Sequence, residues 1–273
     1  MRVLAKARSL VRRVGIDVAP WPHRPEDGVI DWGLTAVMRS RGINCVIDVG
    51  GNRGQFAGRL RALGYNGRIV SFEPSPTVQP LIQAAAERDP QWTVRPVALS
   101  SQPGHAELHL HKEPQLDSML DALPGVTGDI PLMEETGIAS ITLSTLEAEL
   151  PGIIAGIDDP KVLLKSDTQG HDVEVLRGAG AKGLDPAIVA VLVELAPLPV
   201  YSGQPRMTAV MELIMADGFD AVAFEPLFES SDGLRVVELD ALFMRPADGR
   251  PDWGGNGKWH DPVAGPPANH VPG

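Results

Sequence analysis

Short apolar runs alternate along the chain with segments whose apolar residues recur every three or four positions. In the first half, this alternation predicts three buried strands and two intervening helices, in the order 45–50, 54–63, 68–73, 78–88 and 94–99. A strand–helix–strand order of this kind is typical of a parallel sheet with right-handed crossovers. The pattern therefore predicts a Rossmann-like α/β fold.

The second half of the chain has two further apolar runs and a helical segment, and it ends in a pattern typical of a hairpin. Buried strands are predicted at 162–164 and 188–195, followed by an amphipathic helix from Met207 to Ala216. The segments 219–228 and 234–244 flank a Ser-Ser-Asp-Gly turn, which predicts an antiparallel hairpin at a sheet edge.

Two segments between the halves differ from this scheme. Residues 105–111 alternate with period two, which predicts a half-exposed strand or hairpin arm. Residues 117–140 contain Pro and Gly with little periodicity, so we expect a loop that covers the substrate.

The ends of the chain have a different composition from the α/β region at 28–246. A helical extension is predicted at 1–27, and a Gly- and Pro-rich tail at 247–273. The first thirteen residues interleave apolar side chains with basic ones: Arg2, Lys6, Arg8, Arg12 and Arg13. Such a helix either packs its apolar stripe on the domain or rests on an anionic membrane surface.

Composition narrows the possible partners and the compartment. The formal net charge of −11 argues against a nucleic-acid partner, because phosphate contacts need clustered Lys and Arg. No apolar run reaches the roughly 18 residues of a spanning helix, and no secretory signal is evident. With Cys45 as the single cysteine, we expect a cytoplasmic protein, with peripheral contact at the inner membrane face as one option. An oligomer is compatible with these data.

The segment from Asp48 to Gly54, Asp-Val-Gly-Gly-Asn-Arg-Gly, follows a strand and opens a helix. Its glycines let a ligand approach the backbone closely, but the spacing is neither GxGxxG nor the phosphate loop GxxxxGKS. Asp48 would repel a pyrophosphate and could pair with an amine, such as that of a methionine moiety. A tight structural turn is the alternative explanation.

Glu73 stands at the carboxyl end of the next strand, just before Pro74. An acid in this position can accept hydrogen bonds from both ribose hydroxyls of a nucleoside. Because ligands of such sheets bind outside the carboxyl ends of the strands, Asp48 and Glu73 should face one crevice. The pair predicts a nucleoside site, although Glu73 alone could be an exposed strand-end carboxylate.

Three further polar residues follow the strands of the second half: Asp167, His171 and Glu194. If their strands are neighbours, Asp167 and Glu194 meet at the crevice floor, where they could hold Mg²⁺ or act as a general base with a raised pKa. Asp167 could instead cap a helix, and Glu194 could bind backbone amides. His171 is a second candidate base, since histidine titrates near neutral pH, or else a solvated surface residue.

Together these motifs resemble the FkbM family of S-adenosylmethionine-dependent O-methyltransferases. The matching blocks are Val46 to Gly54, Ser71 to Pro74, Leu164 to Gly170, Glu174 to Ala179 and Val193 to Leu195. Details at 61–70 and 89–92 are similar to actinobacterial members. The resemblance implies a class I methyltransferase fold, a mostly parallel seven-stranded sheet with an antiparallel edge hairpin, over residues 28–246.

The resemblance also implies where the cofactor binds. It places the methionine moiety at Asp48, Gly50, Gly51 and Asn52, near Asp167. It places the ribose at Glu73 and Pro74, and the adenine near Ala98. Relatives of this type methylate hydroxyls of sugars, glycolipids or polyketide products, and the reaction would use the candidate catalytic residues Asp167, His171 and Glu194.

The chain departs from the family pattern at several positions. Gly51 stands where alanine is usual, Ser166 where an apolar residue is usual, and His171-Asp172 where an aromatic–glutamate pair is usual; Ser118 is left of a double serine. Two rival functions remain: a cofactor-binding accessory protein without catalysis, and a nicotinamide-dependent oxidoreductase. Asp48 and the missing third glycine count against the second.

Overall fold

A computed structural model of the protein describes residues 28–126, 130–230 and 233–246. The predicted N-terminal extension at 1–27 and the tail at 247–273 lie outside the described residues. Two short pieces also lie outside them: 127–129, in the predicted loop, and 231–232, in the predicted hairpin turn.

Ten strands and six α-helices follow one another along the described part of the chain. Their bounds are α1 Gly28–Arg41, β1 Cys45–Val49, α2 Gln55–Ala62, β2 Arg68–Phe72, α3 Gln79–Ala86, β3 Trp92–Arg95, β4 Ala98–Leu99, β5 Gly104–His111, β6 Glu135–Ser144, α4 Leu146–Ile154, β7 Val162–Ser166, α5 Asp172–Arg177, β8 Ile188–Leu195, α6 Met207–Ala216, β9 Asp220–Glu229 and β10 Val236–Met244. Short 3₁₀ turns occur at Pro114–Leu116 and Pro131–Met133.

The main sheet has seven strands in the order β3-β2-β1-β7-β8-β10-β9. The first five pair in parallel, whereas β10 pairs antiparallel with both β8 and β9. This confirms the predicted α/β fold, a mostly parallel seven-stranded sheet with an antiparallel edge hairpin. It also confirms the expectation that the strands leading to Asp167 and Glu194 are neighbours.

The sheet separates two apolar clusters because successive side chains of a strand point to opposite faces. In β1, Cys45, Ile47 and Val49 join one cluster, and Val46 joins the other. The same alternation places Asp48 on the face of Val46, and Lys165 of β7 on the face of Leu163. Two buried polar residues of neighbouring strands therefore share one side of the sheet.

Two expectations about the middle of the chain are wrong. The strand predicted at 94–99 is divided: Trp92–Arg95 belongs to the main sheet, whereas Ala98–Leu99 pairs with Leu143 and Ser144 in a second sheet. Pro96, which has no N–H to donate to a ladder, lies between the two strands.

The second error concerns the end of the loop predicted at 117–140, because its residues 135–140 belong to the strand Glu135–Ser144. It pairs antiparallel with Gly104–His111, which confirms the predicted hairpin arm, and the second sheet has the order β4-β6-β5. In β6 only Ile141 is buried, so the strand lacks the apolar alternation by which sequence reveals a strand.

Candidate active site

A cavity of about 390 Å³ opens at the carboxyl ends of β1, β2, β7 and β8. Ten residues were predicted from sequence to form the site, and eight of them line this cavity: Gly50, Gly51, Asn52, Glu73, Pro74, Ala98, Asp167 and Glu194. Asp48 and His171 do not line the cavity. Further wall residues come from α2, β5, β9, β10 and the segment 114–119.

The turn after β1 places main-chain atoms on the cavity wall. Gly50 has a φ of 76°, and a Cβ there would lie 1.9 Å from the carbonyl oxygen of Asp167. The amides of Gly50 and Gly51 donate to the carbonyl of Phe72, at 3.0 and 3.1 Å. Only glycine fits this approach of two chain segments, because a side chain would occupy the same space.

Glu73 is held at the end of β2 by two backbone amides. The amide of Asn52 donates to Oε2 and the amide of Ser75 to Oε1, both at 2.7 Å. Burial raises the pKa of Glu73 to about 7, opposed by these two amides and by Lys165. Each oxygen keeps a lone pair, so the carboxylate can still accept hydrogen bonds from a ribose.

We expect the cofactor product S-adenosylhomocysteine to bind more tightly at pH 8 than at pH 6. If Glu73 binds the ribose as predicted, only its charged carboxylate can accept from both hydroxyls, and with a pKa of about 7 it gains this charge between these pH values. The affinity should rise by up to about tenfold, and in Glu73→Gln the rise should disappear, with binding weaker by about 1–3 kcal/mol at pH 8.

Calorimetry at the two pH values measures this effect. Glu87→Gln, which changes an exposed glutamate just after α3, serves as the control. A pH dependence that survives in Glu73→Gln would remove this carboxyl from the nucleoside site.

Asp48 does not take the place on the cavity wall that its sequence position suggested. It is fully buried: Ser71 Oγ donates to its Oδ2 at 2.7 Å, and Lys165 Nζ lies 3.4 Å from its Oδ1. Trp92 Nε1 in turn donates to Ser71 Oγ at 2.9 Å. The interpretation that Asp48 contacts a methionine amine is therefore corrected, since this carboxylate lies under the glycine turn.

Lys165 connects Asp48 to the cavity. Its Nζ donates to the carbonyl of Gly50 at 2.8 Å and lies 3.4 Å from Asp167 Oδ2. Burial alone would lower the pKa of Lys165, but the carboxylates of Asp167 and Asp48 outweigh it and raise the pKa above the usual lysine value. The lysine is therefore a cation on the cavity wall, between Asp48 and Asp167.

Asp167 and Glu194 do approach each other, as the sequence predicted, but an amide lies between them. Gln169 Nε2 donates to Asp167 Oδ1 at 3.1 Å and to Glu194 Oε1 at 3.0 Å. The two hydrogens of this NH₂ group satisfy both carboxylates, which is the task that the sequence analysis gave to Mg²⁺. Burial, and then the charge of Asp167, raise the pKa of Glu194 well above its usual range.

The predicted Mg²⁺ site is therefore not supported. Gln169 occupies the position between the two proposed ligands. Within the described ranges, no group of three or more His, Cys, Asp or Glu side chains is arranged to hold a metal ion.

His171 lies away from the cavity, at the residue before α5. Its Nε2 is 3.0 Å from Ser100 Oγ, so the ring connects the end of β4 to α5. Burial lowers the pKa of this imidazole. The structure does not support the prediction of His171 as the catalytic base, because the residue does not line the cavity and its Nε2 contacts Ser100.

Two residues that differ from the family pattern, Ser166 and Asp172, bind each other. Ser166 Oγ donates to Asp172 Oδ1 at 2.5 Å, and both side chains are buried. A serine beneath the helix start thus gives the buried aspartate its hydrogen-bond partner, and neither group faces the cavity.

Segment 114–119 crosses the cavity and is bonded on both sides. On the nucleoside side, Asn52 Nδ2 donates to the carbonyl of Pro114 at 3.0 Å, and Ser75 Oγ donates to Asp117 Oδ2 at 2.8 Å. On the other side, Ser118 Oγ donates to the carbonyl of Gln169 at 2.7 Å. The first part of the predicted substrate-covering loop is therefore a strap over the cavity.

Sequence reasoning gave no role to several polar residues of the cavity wall, among them Arg59, Asp117, Lys165, Gln169, Glu238 and Asp240, or to Tyr201 beside it. The hydroxyl of Tyr201 lies 2.9 Å from both Leu116 O and Gln169 Oε1, which ties the strap to the amide between the carboxylates. Glu238 and Asp240 lie on β10, which pairs antiparallel with β8 and extends past its carboxyl end. The one indication of Glu238 and Asp240 in the sequence is that the two acids are two positions apart in a predicted strand and so lie on the same face.

The cavity thus has two chemically different ends. Near β2, Phe72, Pro74, Ala98, Leu99 and Leu108 form an apolar wall beside Glu73, which fits a flat base and its ribose. Near β8 and β10, the wall carries Glu194, Glu238 and Asp240, with Arg59 Nη1 3.8 Å from Asp240 Oδ2. Asp167 and Gln169 lie between the two ends.

Comparisons with solved structures give matches at low identity. A methyltransferase FkbM from Methylobacillus flagellatus is 14% identical with a TM-score of 0.42, and the match covers 74% of this chain but only 43% of that one. A precorrin-6y C5,15-methyltransferase from Geobacter metallireducens is 12% identical with a TM-score of 0.40, covering 78% and 87% of the two chains. Fibrillarin from Aeropyrum pernix, crystallised with S-adenosyl-L-methionine, is 11% identical with a TM-score of 0.39, covering 78% and 76%.

Structural similarity with TM-scores this low does not identify the family, so the assignment rests on the sequence. No curated protein matches the chain. The model of the family described as "Methyltransferase FkbM domain" matches residues 48–226, which is more than half of the chain and contains the glycine turn, Glu73, the strap, Asp167 and Glu194. The chain belongs to the FkbM methyltransferase family.

Proposed function

We propose that this protein transfers the methyl group of S-adenosylmethionine to a hydroxyl oxygen of a sugar, glycolipid or polyketide-type acceptor. The family supports methyl transfer from this cofactor. The observation that carries the choice of oxygen is the acidic end of the cavity, where Glu194, Glu238 and Asp240 stand beyond the cofactor end. Carboxylates accept hydrogen bonds from hydroxyl groups and can take up a proton, which a hydroxyl acceptor must lose.

The cofactor supplies an electrophilic methyl group, and the chain's own residues supply its placement. Glu73 would hold the ribose, the backbone at Gly50 to Asn52 would lie along the methionine moiety, and the apolar wall with Pro74 and Ala98 would hold the base. Asp167, fixed by Lys165 and Gln169, stands where the two ends meet. Holding the two reactants in one orientation supplies much of the acceleration of such a transfer.

An apolar surface near the acidic end favours an acceptor with a lipid or polyketide part. Leu227 lines the cavity yet is 51% exposed, and Phe228, which is opposite Glu238 in the sheet, is also exposed. No helix in the described part of the chain is long and apolar enough to cross a bilayer. We propose a cytoplasmic enzyme whose basic first thirteen residues contact the inner membrane face, with no role for nucleic acid.

The test is methyl transfer from S-adenosylmethionine carrying a deuterated methyl group into envelope lipid and polar extracts, followed by mass spectrometry. We expect a mass-shifted methyl ether. Because Gln169 already bridges Asp167 and Glu194, excess chelator should leave the rate unchanged.

Each alternative has its own outcome in this experiment. Tight binding of S-adenosylhomocysteine without transfer to any extract would indicate a non-catalytic binding protein. A methylated nitrogen or carbon would overturn the choice of oxygen. The family match leaves the nicotinamide oxidoreductase without support.

A further inference from the structure

Six carboxylates line the cavity, and five of them are already engaged by the protein. On the cofactor side and in the strap, backbone amides and Ser75 hold Glu73 and Asp117. At the other end, Gln169 holds Asp167 and Glu194.

Asp240 is the fifth engaged carboxylate, since Arg59 pairs with it. The donors that hold these five carboxylates occupy lone pairs that a substrate hydroxyl would otherwise meet. These five groups are therefore poor candidates for taking a proton from a substrate.

Glu238 is the sixth, and it differs from the others. It lines the cavity, and within the described ranges no hydrogen bond or ion pair joins its carboxylate to another residue. It is half-buried, so its charge is neither neutralised by the protein nor freely hydrated. A polar group in this position has its hydrogen-bonding capacity left for a ligand.

The register of β10 places Glu238 at the acceptor end. Asp240 is opposite Glu194, and Leu239 is opposite Leu195, the last residue of β8. Glu238 is one residue farther on, so it lies just outside the carboxyl end of the strand, where ligands of such sheets bind. It faces the same side as Asp240 because the two are separated by one residue.

We propose that Glu238 is the general base that removes the proton from the acceptor hydroxyl. This inference rests on the proposed O-methyl transfer and names the group that carries out its proton step. The acceptor O–H proton passes to the Glu238 carboxylate, and the oxygen lone pair forms the new bond to the methyl carbon. The electron pair of the breaking carbon–sulfur bond stays on sulfur, which becomes a neutral thioether, and Glu238 later releases its proton to water.

The surroundings of Glu238 suit this task. Burial and the charge of Asp167 raise its pKa to about 7, so a useful fraction is ionised at neutral pH while the carboxylate stays basic. The acidic and titratable groups facing this end are Asp167 on the β7 side, Glu194 on β8, Glu225 on β9, Asp240 on β10 and Tyr201. The cations are Arg59 and Lys165. Burial and the charge of Asp167 also raise the pKa of Glu194, but the Gln169 amide already donates to that carboxyl. Among the carboxyls at this end, Glu238 is the one without a donor from the described residues.

The test compares Glu238→Gln, Glu238→Asp and the control Glu229→Gln on the exposed part of β9. Total transfer of labelled methyl from S-adenosylmethionine into envelope extract is measured from pH 5.5 to 9, with the cofactor saturating at every pH so that the titration of Glu73 does not contribute to the profile. We expect wild-type transfer to rise with pH through about 7 and then level off. Glu238→Gln should lose about 100-fold or more at pH 8 together with this rise. Glu238→Asp should keep the rise at a reduced rate, and Glu229→Gln should match wild type.

Binding of S-adenosylhomocysteine and the melting temperature show whether each variant is folded and able to bind. Both should be unchanged in Glu238→Gln. A Glu238→Gln enzyme with wild-type rate, or one that keeps the rise near pH 7, would overturn the base assignment alone. Wild-type protein that transfers no methyl to any extract would overturn the proposed function, and the base assignment with it.

Discussion

Replacing Gly50 by alanine is expected to lower the free energy of unfolding by about 3 kcal/mol or more. The new Cβ would lie 1.9 Å from the carbonyl oxygen of Asp167, and the φ of 76° is unfavourable for alanine. The opposing chain cannot withdraw easily, because the amide of Asp167 donates to the carbonyl of Val49 at 3.2 Å. The new methyl group would therefore clash with a main-chain oxygen, which cannot move aside as a flexible side chain could.

Urea unfolding of Gly50→Ala measures this loss, and Gly58→Ala is the matched control. Gly58 is an exposed glycine in α2 with no heavy atom near the position of its Cβ, so alanine there should be neutral or stabilise by up to about 1 kcal/mol. Gly50→Ala should also lose affinity for S-adenosylhomocysteine, since this turn lines the cavity. Equal midpoints for the two variants would show that the turn has room to relax.

Replacing Lys165 by methionine should have the second large effect, a loss of about 3–5 kcal/mol. The lysine is 7% exposed and neutralises two carboxylates, one of which, Asp48, is fully buried. Without the ammonium group, Asp48 keeps only the hydroxyl of Ser71 as a hydrogen-bond partner. An uncompensated charge in the core is among the most costly single changes a fold can receive.

A double-mutant cycle separates this charge effect from lost packing. Asp48→Asn in the Lys165→Met background removes the orphaned charge, so the double variant should recover part of the stability. Lys112→Met, which breaks an exposed pair with Glu134, should cost less than about 1 kcal/mol. If Asp48→Asn adds a further loss instead, the two residues do not interact as the ion pair described here.

Local pattern was sufficient for the parallel part of the fold. The strand at Ile188–Leu195 and the helix at Met207–Ala216 have the bounds read from sequence, because each is long and has one clear period. The helices Gly28–Arg41 and Leu146–Ile154 were not predicted. Strand β6 was also missed, because its pairing with β5 rather than an apolar pattern of its own stabilises it.

The sequence determined which residues stand at strand ends, and thereby most of the cavity wall, since parallel strands bring their carboxyl ends to one edge. Gly50, Glu73, Asp167 and Glu194 were found in this way, whereas Ala98 came from the family resemblance. The sequence could not show how far each side chain lies from the surface. Only the tertiary structure placed Asp48 beneath the turn and His171 against Ser100, because burial depends on segments distant in the chain.

The tertiary structure also decided what lies between Asp167 and Glu194. Two carboxylates on neighbouring strands predict a cation, but the backbone of Gln169, with a φ of 51°, turns its side chain amide into that gap. Likewise, only the antiparallel pairing of β10 with β8 brings Glu238 to the cavity, from a position 44 residues after Glu194 in the chain. Periodicity fixes a residue's face within its own element, whereas the contacts between elements that make a site depend on the whole fold.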